Sequence, residues 1–270
     1  MESEIPQIVY KYRDWNNPFH KNILLHNEIY LASPKDFNDP FDCKIPLNFT
    51  VLTKEERENY KEELSIRQRP NIGVSDLEYI SIKKNLDDRM ENIEKFQEDY
   101  EEFYFNQTDT NYGVFSLSKT FKGMLLWSHY ANCHKGFCVG FWEGKLRESC
   151  DFINRTGIVK YNTEFPVLIP KVRETLEEKL ARIHARTTTK SEEWEYEEEY
   201  RLIKAFVEPP LSFERREKIP DEVFSDVTLG IDISVENKKE IIEICRRKGI
   251  LVYQAKKVPF KFEIDRVLIE

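Results

Sequence analysis

The chain has 270 residues, of which 40% are hydrophobic and 13% aromatic, enough to bury a substantial core and too much for intrinsic disorder. A formal net charge of −8 removes any global attraction to nucleic acid or an anionic membrane and leaves only local basic features as a route to either. Five scattered cysteines without a C-x-x-C pair, no apolar run near the roughly 20 residues of a membrane span, and no signal-peptide pattern together lead us to expect a cytoplasmic protein with reduced thiols and no membrane partner.

Residues 8–13 alternate as a first strand, residues 17–25 have helical spacing, and residues 28–32 form a short second strand. The sequence Asp36-Phe37-Asn38-Asp39-Pro40 is a turn signal, because Pro sets φ and Asx side chains bond nearby amides. Asn38 and Asp39 are therefore either a structural turn or part of a loop closing over a ligand. Residues 53–105 are charge-dense with apolar side chains every three or four positions, which predicts amphipathic helices broken near residues 70–73. Strand character returns at residues 113–118, followed by a short apolar helix at 124–131 and a buried strand at 137–141. A helix is expected over 172–187, a polar loop over 187–191, and strands over 200–207 and 227–231. The helix at 235–248 ends at Gly249, and two final strands cover 250–255 and 260–267. The expected fold is one α+β domain spanning 1–270, with mixed or antiparallel sheets and a helical insertion at 53–105.

Chemistry concentrates in Trp194-Glu195-Tyr196-Glu197-Glu198-Glu199-Tyr200-Arg201. A strand period of two from Tyr196 onward places Glu197, Glu199 and Arg201 on one face. Buried carboxylates are costly unless paired or used, whereas an exposed Glu–Arg pair contributes only about 0–1 kcal/mol. His129, Cys133, His134 and Cys138 lie close in sequence but lack the two tight ligand pairs of a structural zinc site, so no metal is expected. Neither a nucleophile elbow nor a phosphate-binding glycine loop is present. What remains is a distributed set: Tyr12 and Arg13, Ser116 and Ser118, and Glu197 with Glu199.

The blocks Tyr10–Arg13, Leu31–Asp42, Phe115–Ser118, Leu126-Trp-Ser-His-Tyr-Ala131, His134–Cys138 and Trp194–Arg201 resemble the bacterial family called domain of unknown function 2971. Thr228–Gly230 and Val252–Ala255 fit it too. More distantly, three motifs on three strands ending in Glu-x-Glu are similar to the ADP-ribosyltransferase superfamily. That likeness implies a split-sheet α+β fold and NAD as substrate, with roles as a toxin or phage-defence effector. It implies that Arg13 or Tyr12 contacts NAD and that Ser116 and Ser118 line the nicotinamide pocket. Asn38, Asp39, Trp127, His129 and Tyr130 complete the expected NAD-binding set. Glu199 would stabilise the oxocarbenium-like transition state and Glu197 would orient an acceptor, a protein or a nucleic acid. Arg201 reads as a structural partner of a carboxylate. The alternatives are a non-catalytic nucleotide- or partner-binding module, with Phe37, Phe41, Trp127, Tyr130 and Trp194 as stacking surfaces, and a metal-dependent nuclease using Asp39, His129 and Glu199.

Overall fold

The computed structural model describes residues 5–68, 76–150, 152 and 157–270. In chain order it forms β1 (Ile8–Arg13), α1 (Pro18–Leu25) and β2 (Glu28–Tyr30), then α2 (Lys54–Gln68), α3 (Asp76–Met90) and α4 (Ile93–Asn111). There follow β3 (Tyr112–Ser118), α5 (Met124–Tyr130), β4 (Phe137–Trp142), α6 (Glu143–Glu148), β5 (Lys160–Asn162), α7 (Leu176–Thr187) and β6 (Thr189–Ser191). The chain closes with β7 (Glu199–Ala205), β8 (Arg216–Lys218), β9 (Phe224–Leu229), α8 (Val235–Lys248), β10 (Leu251–Lys257) and β11 (Ile264–Leu268). Two units separate by their own contacts. One holds the described residues up to Asn38 with Thr110–Thr163 and Lys190–Glu270, and the other holds Asp39–Asp109 with Glu164–Thr189.

The first unit is built on a seven-stranded sheet in the order β11-β10-β9-β4-β1-β3-β7. All neighbouring pairs are antiparallel except β9 with β10, which run parallel and are joined by α8. This α+β architecture with a mostly antiparallel mixed sheet is the class expected from the sequence. Alternation assigns the faces. Val9, Phe137, Val139, Phe141, Phe115, Leu117, Tyr200 and Leu202 point to the core shared with α1, α6 and α8, where Leu24, Leu146 and Ile241 are fully buried. Tyr10, Tyr12 and Cys138 point the other way, against Leu126 and Trp127 of α5 and Ala131 just after it. Arg201 and Tyr10 both stand opposite β3 serines, at 116 and 118, so they share the α5 face.

The sheet narrows at one place. β1 pairs with β4 along its whole length, yet its pairing with β3 is the single position Tyr10–Ser118. The expected split sheet is thus one sheet, with a short ladder where β1 and β3 part.

In the second unit, α7 is capped by Thr175, whose side chain accepts from the Glu178 amide while Glu178 accepts from the Thr175 amide, a capping box. The helix itself begins at Leu176, four residues after the start that the apolar pattern suggests. Phe49, Leu52, Met90, Ile93 and Phe96 make a small core of this unit. The expected helix break at residues 70–73 lies outside the described residues. A second break, not anticipated, separates α3 from α4, where Asn92 Oδ1 accepts from the Lys95 amide. The 187–191 stretch is not a loop: α7 runs to Thr187, β6 follows at once, and Thr187 to Lys190 are all buried.

Candidate active site

Glu197 and Glu199 reach the same place by a different route from the one periodicity suggests. The stretch Glu192–Glu197 is a 3-10 helix, Glu198 takes a left-handed φ of 43°, and β7 begins only at Glu199. A strand period of two therefore does not extend back to Glu197. The left-handed residue exposes Glu198 and turns its two neighbours inward, where they are 5% and 4% exposed.

Lys190 joins the two carboxylates. Its Nζ donates to Glu197 Oε2 at 2.6 Å and to Glu199 Oε2 at 3.2 Å. Arg201, fully buried, donates through Nε to Glu199 Oε1 at 2.7 Å and through Nη2 to Oε2 at 2.8 Å, a bidentate fork. The Tyr130 hydroxyl donates to Glu197 Oε1 at 2.7 Å, and the Glu199 amide donates to the Tyr161 hydroxyl at 2.7 Å. Ser118, opposite Glu199 across the β3–β7 ladder, donates its hydroxyl to the Glu197 carbonyl at 2.8 Å. Ser116, two residues back, hydrogen-bonds the Glu199 carboxylate.

These contacts set the charge states. Burial by itself would raise the Glu199 carboxyl. The Arg201 charge and hydrogen bonds, with Lys190 and Ser116, outweigh it and hold Glu199 well below the usual carboxylate range. Burial, then the Glu197 charge, raises Tyr130, so this phenol stays a donor. Lys11 donates to the Ser116 carbonyl where β1 and β3 part. Burial pulls Lys11 well below its ordinary value, Arg13 lowers it further, and the carboxylates of Glu199 and Glu197 act against the fall. Arg13 is also lowered by burial, and its one hydrogen bond among the described residues is to the Tyr12 carbonyl at 3.5 Å. Within this set, three basic groups act on two carboxylates: Lys190 and Arg201 by direct contact and Lys11 through its charge. Such an excess in a water-poor place favours an anion.

The sequence candidates divide accordingly. Glu197, Glu199, Ser116, Ser118 and Tyr130 come together. His129 is exposed, with its ring 6.1 Å from that of Tyr130 and 6.3 Å from that of Tyr196. Tyr12 and Trp127 are core side chains, 3% and 0% exposed. The Tyr12 hydroxyl donates to the Thr120 carbonyl and the Trp127 indole to the Phe121 carbonyl. Arg13 alternates to the face away from Glu199, and the groups that feel its charge are Lys11 and His20. Asn38 is exposed in the first unit, while Asp39 Oδ1 accepts from the Phe41 amide in the second, an Asx turn. Among the described residues no group of three or more His, Cys, Asp or Glu side chains is placed to hold a metal. His134 lies parallel to Trp127 at 6.4 Å, Cys133 is exposed, and Cys138 is buried.

Sequence reasoning missed Lys190, Lys11 and Tyr161. The β-branched run Thr187-Thr188-Thr189 just before Lys190 is the signal that points to a strand there rather than a loop. Lys160-Tyr161-Asn162 carries no such signal.

No curated protein and no solved structure matches the chain at a significant level. Residues 126–202, from Leu126 in α5 through β4 to Leu202 in β7, match the model of a family described as "Protein of unknown function (DUF2971)"; they contain Tyr130, Lys190, Glu197, Glu199 and Arg201, and they leave out β1 and β3.

Proposed function

We propose that this cluster is the centre of an NAD-consuming, ADP-ribosyltransferase-like enzyme. The observation that carries the reading is adjacency. The three motif-bearing strands are neighbours in the order β1-β3-β7, and Ser118 stands opposite Tyr10 on one side and Glu199 on the other. In this reading Lys11, held at the Ser116 carbonyl where β1 and β3 part and within the field of both carboxylates, takes the pyrophosphate. The bond between ribose C1′ and the nicotinamide nitrogen breaks, and nicotinamide leaves neutral with the electron pair. A lone pair of the acceptor, or of water, then closes on C1′ and the acceptor releases a proton. Glu199, ionised at neutral pH, is the fixed anion beside the developing positive charge, and preorganised charge of this kind usually dominates catalysis. Glu197, held by Tyr130 and Lys190, orients the acceptor.

The test follows nicotinamide release and transfer of labelled ADP-ribose to protein and to nucleic acid. Glu199→Gln is expected to lower kcat by about 10²–10³, the cost of losing one preorganised charge, with KM changed little. Turnover unaffected by that substitution removes Glu199 from the chemistry.

One observation favours a second reading. Both carboxylates are buried and ion-paired, as structural carboxylates are. A non-catalytic nucleotide- or partner-binding module would then use the same cationic excess. NAD raising the melting temperature without nicotinamide release is the outcome that assigns it.

A further inference from the structure

The β10–β11 hairpin closes through Lys256-Lys257-Val258-Pro259-Phe260-Lys261-Phe262-Glu263. Its tip carries the two most exposed aromatic side chains among the described residues, Phe260 at 108% and Phe262 at 95%. Neither ring packs on a core, and the two stand two residues apart on one turn, a paired apolar display rather than a single scattered side chain.

The display is rigid. The Val258 amide donates to the Glu263 carbonyl at 3.0 Å, and the Lys261 amide donates to the Val258 carbonyl at 3.2 Å. Phe260 has a left-handed φ of 58°, a conformation unfavourable for a bulky L-residue, and its ring is fully exposed. At the hairpin base Arg266 pairs with Asp226, and its guanidinium carbon sits 4.1 Å from the ring centres of both Phe121 and Tyr253.

Charge and area indicate the occupant. Lys256 and Lys257 are exposed at the end of β10 and Lys261 is exposed between the two phenylalanines in the chain, against Glu263, 3.7 Å from Lys261, and the half-buried Asp265 opposite Lys256. The tip is thus locally positive on a chain of net charge −8. Two rings of about 150–250 Å² each fall short of the roughly 800 Å² that each partner contributes to a standard protein interface. A lipid surface requires no such area, because interfacial aromatics and lysines act on it one by one. We propose that this hairpin is a shallow, reversible anchor for an anionic phospholipid surface, with Phe260 and Phe262 entering the headgroup boundary and the lysines facing the phosphates.

The experiment is co-sedimentation of the full chain with phosphatidylcholine vesicles and with vesicles containing phosphatidylserine. Binding is expected to the second and to weaken with salt. It should fall about tenfold or more for each ring removed, tested in Phe260→Ser with Phe262→Ser. Replacing the three lysines by Gln should abolish the preference for phosphatidylserine. A Phe260→Trp variant gives a second readout, a blue shift of its emission on vesicle contact. Absence of binding to anionic vesicles, or binding that survives loss of both rings, overturns the proposal. So does a dimer in light scattering that the Ser substitutions convert to a monomer without any lipid effect, which would make the tip a protein interface.

Discussion

At Glu199 the unfavourable burial of a carboxylate is offset by a forked guanidinium and an ammonium, and this makes single and double substitutions behave differently. Arg201→Met leaves the Glu199 and Glu197 carboxylates sharing one cation, Lys190, in a place with almost no water. Breaking a buried pair from one side typically costs about 3–5 kcal/mol. Removing the charge on both sides, with Arg201→Met and Glu199→Gln together, should recover a large part of that loss in urea denaturation. A single substitution as mild as the double one would mean that the fork contributes little to folding. The same residues show what the sequence revealed at this scale. The pairing of Arg201 with a carboxylate was legible from their spacing on a strand. The position of Glu197 was not, because one left-handed residue, Glu198, ends the alternation, and single-residue conformations leave no periodic trace.

Elements were readable where a regular pattern continued over several residues. β1, β3, β4, β7 and α8 fall within a residue or two of their expected bounds, and Gly249 ends α8 with a φ of 69° as a C-terminal cap should. α6 was not anticipated, since six residues are too few for helical spacing to register. The neighbour order of the strands was illegible for another reason: antiparallel order depends on contacts far apart in the chain. Glycines supply part of that long-range fit. The turn from α5 into β4 passes Gly136, where a Cβ would lie 2.1 Å from the Arg13 carbonyl oxygen and 2.9 Å from that of Ala131. The Gly136 carbonyl also accepts from the Gly230 amide at 2.9 Å, tying the ends of β1, β4 and β9 together. Gly136→Ala must push backbone against backbone, and we expect it to lower stability by about 2–3 kcal/mol. Gly144→Ala is the matched control: a Cβ there meets nothing within 4 Å, and alanine in a helix gains up to about 1 kcal/mol over glycine. Melting temperatures moving in opposite directions for the two variants would bear this out, and similar losses for both would refute it.

For the whole molecule, acid stability integrates two groups in the first unit. The His20 imidazole is lowered from its ordinary value to about 4, first by burial and then by the Arg13 charge, with Lys11 contributing. Its Nδ1 accepts from the Asp14 amide at 3.3 Å, a bond that protonation removes. A group with a depressed native pKa stabilises the fold above its unfolded pKa and loses that contribution as pH falls through the native one. His20 therefore weakens the fold between about 6.5 and about 4. Glu199 is depressed as well, so its share is present above the unfolded carboxyl value of 4.5 and disappears below it. Stability measured by urea denaturation at successive pH values should fall in two stages, the first through the histidine range and the second below the carboxylate range. His20→Asn should flatten the upper stage alone, and Glu199→Gln the lower stage alone. These two side chains sit on opposite sides of β1, His20 in α1 and Glu199 on the α5 face, so their effects should add in the double variant. Strong non-additivity would instead mean that the field of Lys11 and Arg13, at the place where β1 and β3 part, couples the two sides of the sheet.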